Sequence, residues 1–282
     1  MSNIQEIKNI FKKNNIAVLK KFGQNFLISE TVLNKIIETA NIKPTDTILE
    51  IGPGLGVLTF ELAKRASKVI AIEKDRKMAE ILGENLAEKN ISNVEVINED
   101  IFDSRLMIQD SRIKQSYKIV ANLPYNIATA VIMKFLQSKN PPQQIVVMVQ
   151  KEVAQRIAAE PPHMNKLAIF CGLYSTPKII DIVPPSAFYP KPKVDSAILR
   201  LTPNGVRHMS DTCLTPIIDL GFSHPRKTLL NNLYEGRPGT ASKEEIILWL
   251  KENNIQPSQR PETLNIHNWL CLAKTFKTLH NN

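Results

Sequence analysis

From about residue 46 the chain alternates short runs rich in Val and Ile with longer amphipathic stretches, and that alternation leaves few folds open to it. Strands covered on both faces read as continuous apolar runs, whereas the helices that cover them repeat apolar positions every three to four residues. Strands are expected at 47–51, 68–73, 94–98, 118–121 and 145–149, with helices at 57–65, 76–89 and 128–137 between them. A chain ordered this way builds an α/β domain around a mostly parallel sheet.

Past residue 150 prolines recur at Pro161, Pro162, Pro177, Pro184, Pro185, Pro190 and Pro192, yet strands remain possible at 178–183 and 197–201. Those would bring the sheet to about seven strands. Beyond residue 203 only helices are expected, at 215–220, 226–234, 243–252 and 266–276. We therefore expect two domains, residues 1–203 and a smaller helical one over 204–282.

Composition bears on partners. Lys and Arg number 36 against 27 Asp and Glu, for a formal charge of +9 in 282 residues, which favours a polyanion. Lys8, Lys12, Lys13, Lys20 and Lys21 stand against Glu6 in the first 27 residues, so the start of the chain reads as a basic arm. No apolar run reaches membrane length and no apolar secretory block opens the chain, so a cytoplasmic location is expected. Three widely spaced cysteines, Cys171, Cys213 and Cys271, give neither a disulfide framework nor metal-ligand spacing.

The run Glu50-Ile-Gly52-Pro-Gly54-Leu-Gly56 follows the first expected long strand and opens a helix. Alternating glycines allow a sharp turn and close approach of a ligand to the backbone. Their spacing departs from the dinucleotide fingerprint, and Glu50 would repel a phosphate. It suits instead the positive amino acid end of S-adenosylmethionine. Glu73, at the end of the next strand, is placed to accept both ribose hydroxyls of an adenosine cofactor. Asp100 can accept from the adenine amino group, with the Ile101 N–H reaching the ring, and Glu99 reads as a bystander facing solvent.

Asn122-Leu123-Pro124-Tyr125 follows the fourth strand, at the sheet edge where open α/β folds bind ligands. An adenine N6 is a poor nucleophile because its lone pair is delocalised into the ring. The Asn122 amide oxygen and a carbonyl of Leu123 or Pro124 can accept its two hydrogens and free that lone pair for an electrophilic methyl group. Pro124 stiffens the loop and Tyr125 offers a face for an extruded base. The chemistry needs no metal and no covalent nucleophile.

With these residues in place the sequence resembles the KsgA (RsmA) family of rRNA adenine dimethyltransferases. The likeness runs through Lys21-Phe-Gly-Gln-Asn-Phe-Leu27, the glycine loop, Glu99-Asp-Ile101, 122–127, Gln150-Lys-Glu-Val-Ala154, Phe188-Tyr-Pro-Lys-Pro-Lys-Val-Asp-Ser196 and Arg226-Lys-Thr-Leu229. It implies a Rossmann-like class I S-adenosylmethionine-dependent methyltransferase sheet, with a smaller C-terminal all-helical domain. It also implies that Gln24, Asn25 and Leu27 help hold the methionine part of the cofactor and that Phe188 packs on the target base opposite Tyr125. A core aromatic beside a proline-rich loop is the alternative for Phe188, and the base-packing role is the one expected. The implied substrate is a pair of adjacent adenosines in the 3′-terminal hairpin of 16S rRNA in the 30S particle. A monomer acting in small-subunit biogenesis is expected.

Lys20, Lys21, Arg226 and Lys227 are candidate RNA contacts, although a solvated helix start accounts equally well for the last two. The family's basic run is thinner here, reading Pro225-Arg-Lys-Thr-Leu-Leu-Asn-Asn-Leu233. The Tyr-Gly-x-Leu-Ser segment common in the family is replaced by Asn165-Lys-Leu-Ala-Ile169, which leaves the conformation of 160–175 open. Leu123, where resistance enzymes acting on large-subunit rRNA usually carry Ile, favours the small-subunit enzyme. The intact acids, glycines and Asn-Leu-Pro-Tyr loop argue against a noncatalytic assembly factor. A DNA adenine methyltransferase would more often carry Asp at 122 and a separate target-recognition domain.

Overall fold

The computed structural model describes residues 25–103, 116–204, 213–236 and 241–276. The structural elements run β1 (Phe26–Leu27), α1 (Glu30–Ala40), β2 (Thr47–Ile51), α2 (Val57–Ala63), β3 (Lys68–Ile72), α3 (Arg76–Glu88) and β4 (Val94–Ile97). There follow β5 (Tyr117–Asn122), α4 (Ala128–Leu136), β6 (Gln144–Gln150), α5 (Lys151–Ile157), α6 (Lys166–Tyr174), β7 (Ser175–Val183), β8 (Phe188–Tyr189) and β9 (Ser196–Pro203). The last helices are α7 (Leu214–Gly221), α8 (Leu229–Gly236), α9 (Lys243–Glu252) and α10 (Ile266–Thr275).

Seven strands form one sheet in the order β4-β3-β2-β5-β6-β9-β7, and β1 pairs with β8 in a separate ribbon. From β4 to β6 every pairing is parallel, while β9 runs antiparallel to β6 with Gln150 opposite Ser196. The strand order reverses between β2 and β5, where the connections leave to opposite sides and open a crevice at the carboxyl edge. Ile48, Val69, Val120, Val146 and Ile198 are fully buried, as a sheet covered on both faces requires. Local signals end the helices. Ser29 caps α1 through its Oγ on Val32 N, and Asn41 closes it in the left-handed region at φ 44. The Asp75 carboxylate caps α3 on Lys77 N and Met78 N.

The chain divides into two compact units. One holds the described residues up to Ala154 together with Thr176–Pro203, and the other holds Gln155–Ser175 with those from Asn204 onward. Residues 155–175, assigned to the α/β domain on sequence, therefore belong to the helical unit. Their side chains explain the change: Ile169 and Leu173 of α6 pack in one apolar cluster with Ile217, Ile218, Leu233, Trp249 and Trp269. Gly172 allows this approach, since a Cβ there would stand 2.2 Å from Ile266. Among the described residues no helix is long and apolar enough to cross a membrane.

Candidate active site

Parallel register brings β2, β3 and β5 out at one edge, and the loops beyond them enclose a cavity of about 260 Å³. Its lining includes Asn25, Leu27, Glu50, Gly52, Gly54, Glu73, Asp100, Ile101 and all four residues of the Asn122–Tyr125 loop. Gln24, Lys20 and Lys21 lie outside the described residues.

Gly52, Gly54 and Gly56 all have positive φ, at 70°, 55° and 85°. A Cβ on Gly52 would come within 3.3 Å of Pro124, and one on Gly54 within 3.2 Å of Phe26, so both glycines let the lining close up. Gly56 does not line the cavity. It serves packing instead, because a Cβ there would meet Leu82 of α3 at 2.5 Å.

Two buried carboxyl groups face the glycine loop. Glu50 is 1% exposed and its Oε2 has no hydrogen-bond partner among the described residues. Burial pushes its pKa up to about 8, and the neighbouring Glu73 adds to the rise. The buried Thr59 hydroxyl offsets part of this, though it makes no hydrogen bond of ordinary geometry among the described residues. Glu73 is also raised by burial, but its oxygens accept from Gly54 N at 3.1 Å and Asp75 N at 2.9 Å. Those backbone donors fix the carboxylate while leaving each oxygen a further lone pair.

Beyond β4, Asp100 is held below the usual carboxylate range, first by the Lys74 ammonium at 2.7 Å and then by Phe102 N at 2.9 Å. Lys134 of α4 donates to the Ile101 carbonyl at 2.6 Å and the Phe102 carbonyl at 3.3 Å, and its ammonium lies over the Phe102 ring. Sequence reasoning missed this lysine; it sits on the outer face of an amphipathic helix, where lysines are ordinary.

Asn122 donates its Nδ2 to the Asn25 carbonyl at 3.1 Å, which leaves its Oδ1 as an acceptor. The Pro124 carbonyl already accepts from Ile127 N at 3.1 Å, so the Leu123 carbonyl is the freer of the two candidates. Tyr125 is half-buried with its hydroxyl 2.6 Å from Ser196 Oγ. Phe188 is not in the lining. Its ring is 1% exposed and packs in the core with Leu27, Ile36 and Ile198, which corrects the expectation that it faces a base opposite Tyr125. The reason is its pairing: β8 lies against β1 with Phe188 opposite Leu27, which turns the ring into the sheet's apolar cover.

Arg226 and Lys227 lie in the turn before α8 and not on the helix. Arg226 is exposed, and the Lys227 ammonium is paired with Glu235.

A doubly wound mixed sheet with this glycine loop, these strand-end acids and an Asn-Leu-Pro-Tyr loop after β5 defines a Rossmann-like methyltransferase. The chain belongs to the ribosomal RNA adenine dimethylase family, whose model matches residues 15–273. It is 42% identical to ribosomal RNA small subunit methyltransferase A of Dehalococcoides mccartyi over 96% of this chain and 93% of that one. The namesake from Clostridioides difficile is 39% identical over 99% and 97%. Among solved structures, a dimethyladenosine transferase from Plasmodium falciparum superposes with a TM-score of 0.76 at 27% identity, covering 90% of this chain and 98% of that one. The 23S rRNA methyltransferase ErmE gives 0.71 at 25% identity, covering 90% and 100%.

Proposed function

We propose that this chain transfers methyl groups from S-adenosylmethionine to the N6 amines of two adjacent adenosines in the 3′-terminal hairpin of 16S rRNA. On this reading it acts in the cytoplasm as a monomer on the 30S particle or its late precursor. The observation that carries the proposal is the Asn122 amide: with Nδ2 engaged by Asn25, its Oδ1 and the Leu123 carbonyl form a pair of acceptors at the cavity. A primary amine has two hydrogens to match that pair.

The cofactor fits the lining. Glu50 Oε2, without a hydrogen-bond partner among the described residues, offers a buried acceptor and counter-charge for an ammonium group, and Gly52 and Gly54 bring backbone close. Glu73 keeps lone pairs for ribose hydroxyls, and Asp100 with the Ile101 N–H presents an acceptor and a donor to an adenine edge. When bound, S-adenosylmethionine supplies an electrophilic methyl group on a sulfonium. Asn122 and Leu123 then orient the amine, and Tyr125 supports the base with its ring, held by the Ser196 hydroxyl.

The test is labelled-methyl incorporation into unmethylated 30S particles by the full chain and by Asn122→Ala, with S-adenosylhomocysteine affinity measured on both preparations. The reading expects incorporation that Asn122→Ala loses by about 100-fold or more while cofactor affinity is kept. Incorporation that survives the substitution would remove Asn122 from the mechanism.

A further inference from the structure

The cavity is lined by five carboxyl groups, Glu50, Glu73, Asp75, Glu99 and Asp100, against one ammonium, Lys74. That sign suits a cationic cofactor and repels RNA phosphate. Phosphates on either side of an extruded adenosine must therefore meet cations from another part of the same edge. The β6 and β9 half supplies them. Because β9 is antiparallel to β6 with Ser196 opposite Gln150, the loop 190–195 that leads into β9 stands at the carboxyl edge.

This loop is tied to the site at both ends. On one side Tyr189 pairs with Phe26 of β1, a cavity-lining residue whose neighbour Asn25 holds Asn122. On the other, Ser196 touches the Tyr125 hydroxyl at 2.6 Å. Lys151 pins its base, donating N–H to the Asp195 carbonyl at 3.0 Å and pairing with its carboxylate at 3.2 Å. Pro190 and Pro192 restrict its backbone. Between these anchors Lys191 and Lys193 are exposed, and neither has an ion-pair partner among the described residues. Val194 beside them is 45% exposed. The nearby anions are Asp195, already matched by Lys151, and the exposed Glu152 on α5.

We propose that the loop 190–195 is a phosphate-binding lip, in which Lys191 and Lys193 neutralise RNA backbone phosphates flanking the adenosine that Tyr125 receives. The proposal rests on the reading that the substrate is an adenosine within RNA. Removing the two charges weakens RNA binding without touching the cofactor. Two lost phosphate contacts, at roughly 0.7 to 0.9 each, make the plot of log affinity against log salt shallower by about 1.4 to 1.8.

The experiment compares the full chain with Lys191→Gln/Lys193→Gln and with Lys89→Gln/Lys139→Gln, which removes the same charge from exposed positions at the opposite edge. Binding to unmethylated 30S particles is measured across a potassium chloride series, and S-adenosylhomocysteine affinity in parallel. The lip variant should show the shallower slope with unchanged cofactor affinity, and the control variant the slope of the parent. Equal slopes for the two variants, or a loss of cofactor affinity in the lip variant, overturns the proposal. Methyl transfer by the parent on the same particles separates the two readings, because its absence counts against the adenosine-methylating function while the binding slopes still decide the lip.

Discussion

The side-chain nitrogen of Asn122 donates to the backbone carbonyl of Asn25 at 3.1 Å, so the residue just before the short strand β1 decides which end of that amide faces the cavity. Asn122→Asp keeps the shape but sets a carboxylate oxygen against a carbonyl. We expect kcat to fall about 100-fold, the usual scale for one misdirected polar group in a preorganised site. Steady-state kinetics on 30S particles check this, and a kcat within about tenfold of the parent would count against the assigned orientation.

Glu50 carries a pH dependence whose sign is fixed. Unfolded, its carboxyl titrates near 4.5, and folded at about 8. Between those values the unfolded chain has lost a proton that the folded chain keeps, so stability present at low pH drains away as pH rises toward 8. Glu50→Gln should therefore melt at a temperature that rises relative to the parent from pH 5 to pH 8, reaching a gain on the order of a few kcal/mol. A cationic ligand beside Glu50 lowers its titration. Calorimetry in buffers of different ionisation heat should thus detect proton release when S-adenosylmethionine binds at pH 7.

Gly52 couples the glycine loop to the Asn122–Tyr125 loop through its missing side chain. Gly52→Ala puts a Cβ 3.3 Å from Pro124 in a residue with φ 70°. The backbone strain costs about 1 to 2 kcal/mol, while displacement of Pro124 disturbs Asn122 and Leu123. Transfer should fall far more than stability, which paired melting and single-turnover measurements would reveal. A loss of stability with normal transfer per folded molecule would contradict the coupling.

Lys134 clamps the carbonyls of Ile101 and Phe102, in the segment proposed above to meet the adenine edge. Lys134→Met should weaken S-adenosylhomocysteine binding about tenfold, the scale of one charge-assisted hydrogen bond. Lys134→Arg should recover part of it. Titration calorimetry is the check, and unchanged affinity in the Met variant would leave the lysine no positioning role.

Much of this site is legible from residue order because its parts are strand ends. The alternation of apolar runs locates β2, β3 and β5 to within a residue, and Glu50, Glu73 and Asn122 inherit their place from that. What escapes are relationships that only tertiary packing creates. Phe188 sits in a run that resembles a base-binding segment, but pairing of β8 with β1 turns its ring into the core. Residues 155–175 follow the sheet in sequence, yet the apolar faces of 166–174 match the helical unit better. Lys134 and the loop 190–195 carry side chains common on any surface, and only the register of β9 and the contacts of α4 give them meaning.

The most direct test of the central claim is nucleoside mass spectrometry, with position mapping, of 16S and 23S rRNA after incubation of the full chain with unmethylated 30S and 50S particles and S-adenosylmethionine. The account predicts N6,N6-dimethyladenosine at two adjacent positions of the 16S 3′-terminal hairpin and no product in 23S rRNA. Methylation confined to 23S rRNA, or tight 30S binding without any adenosine product, would contradict it.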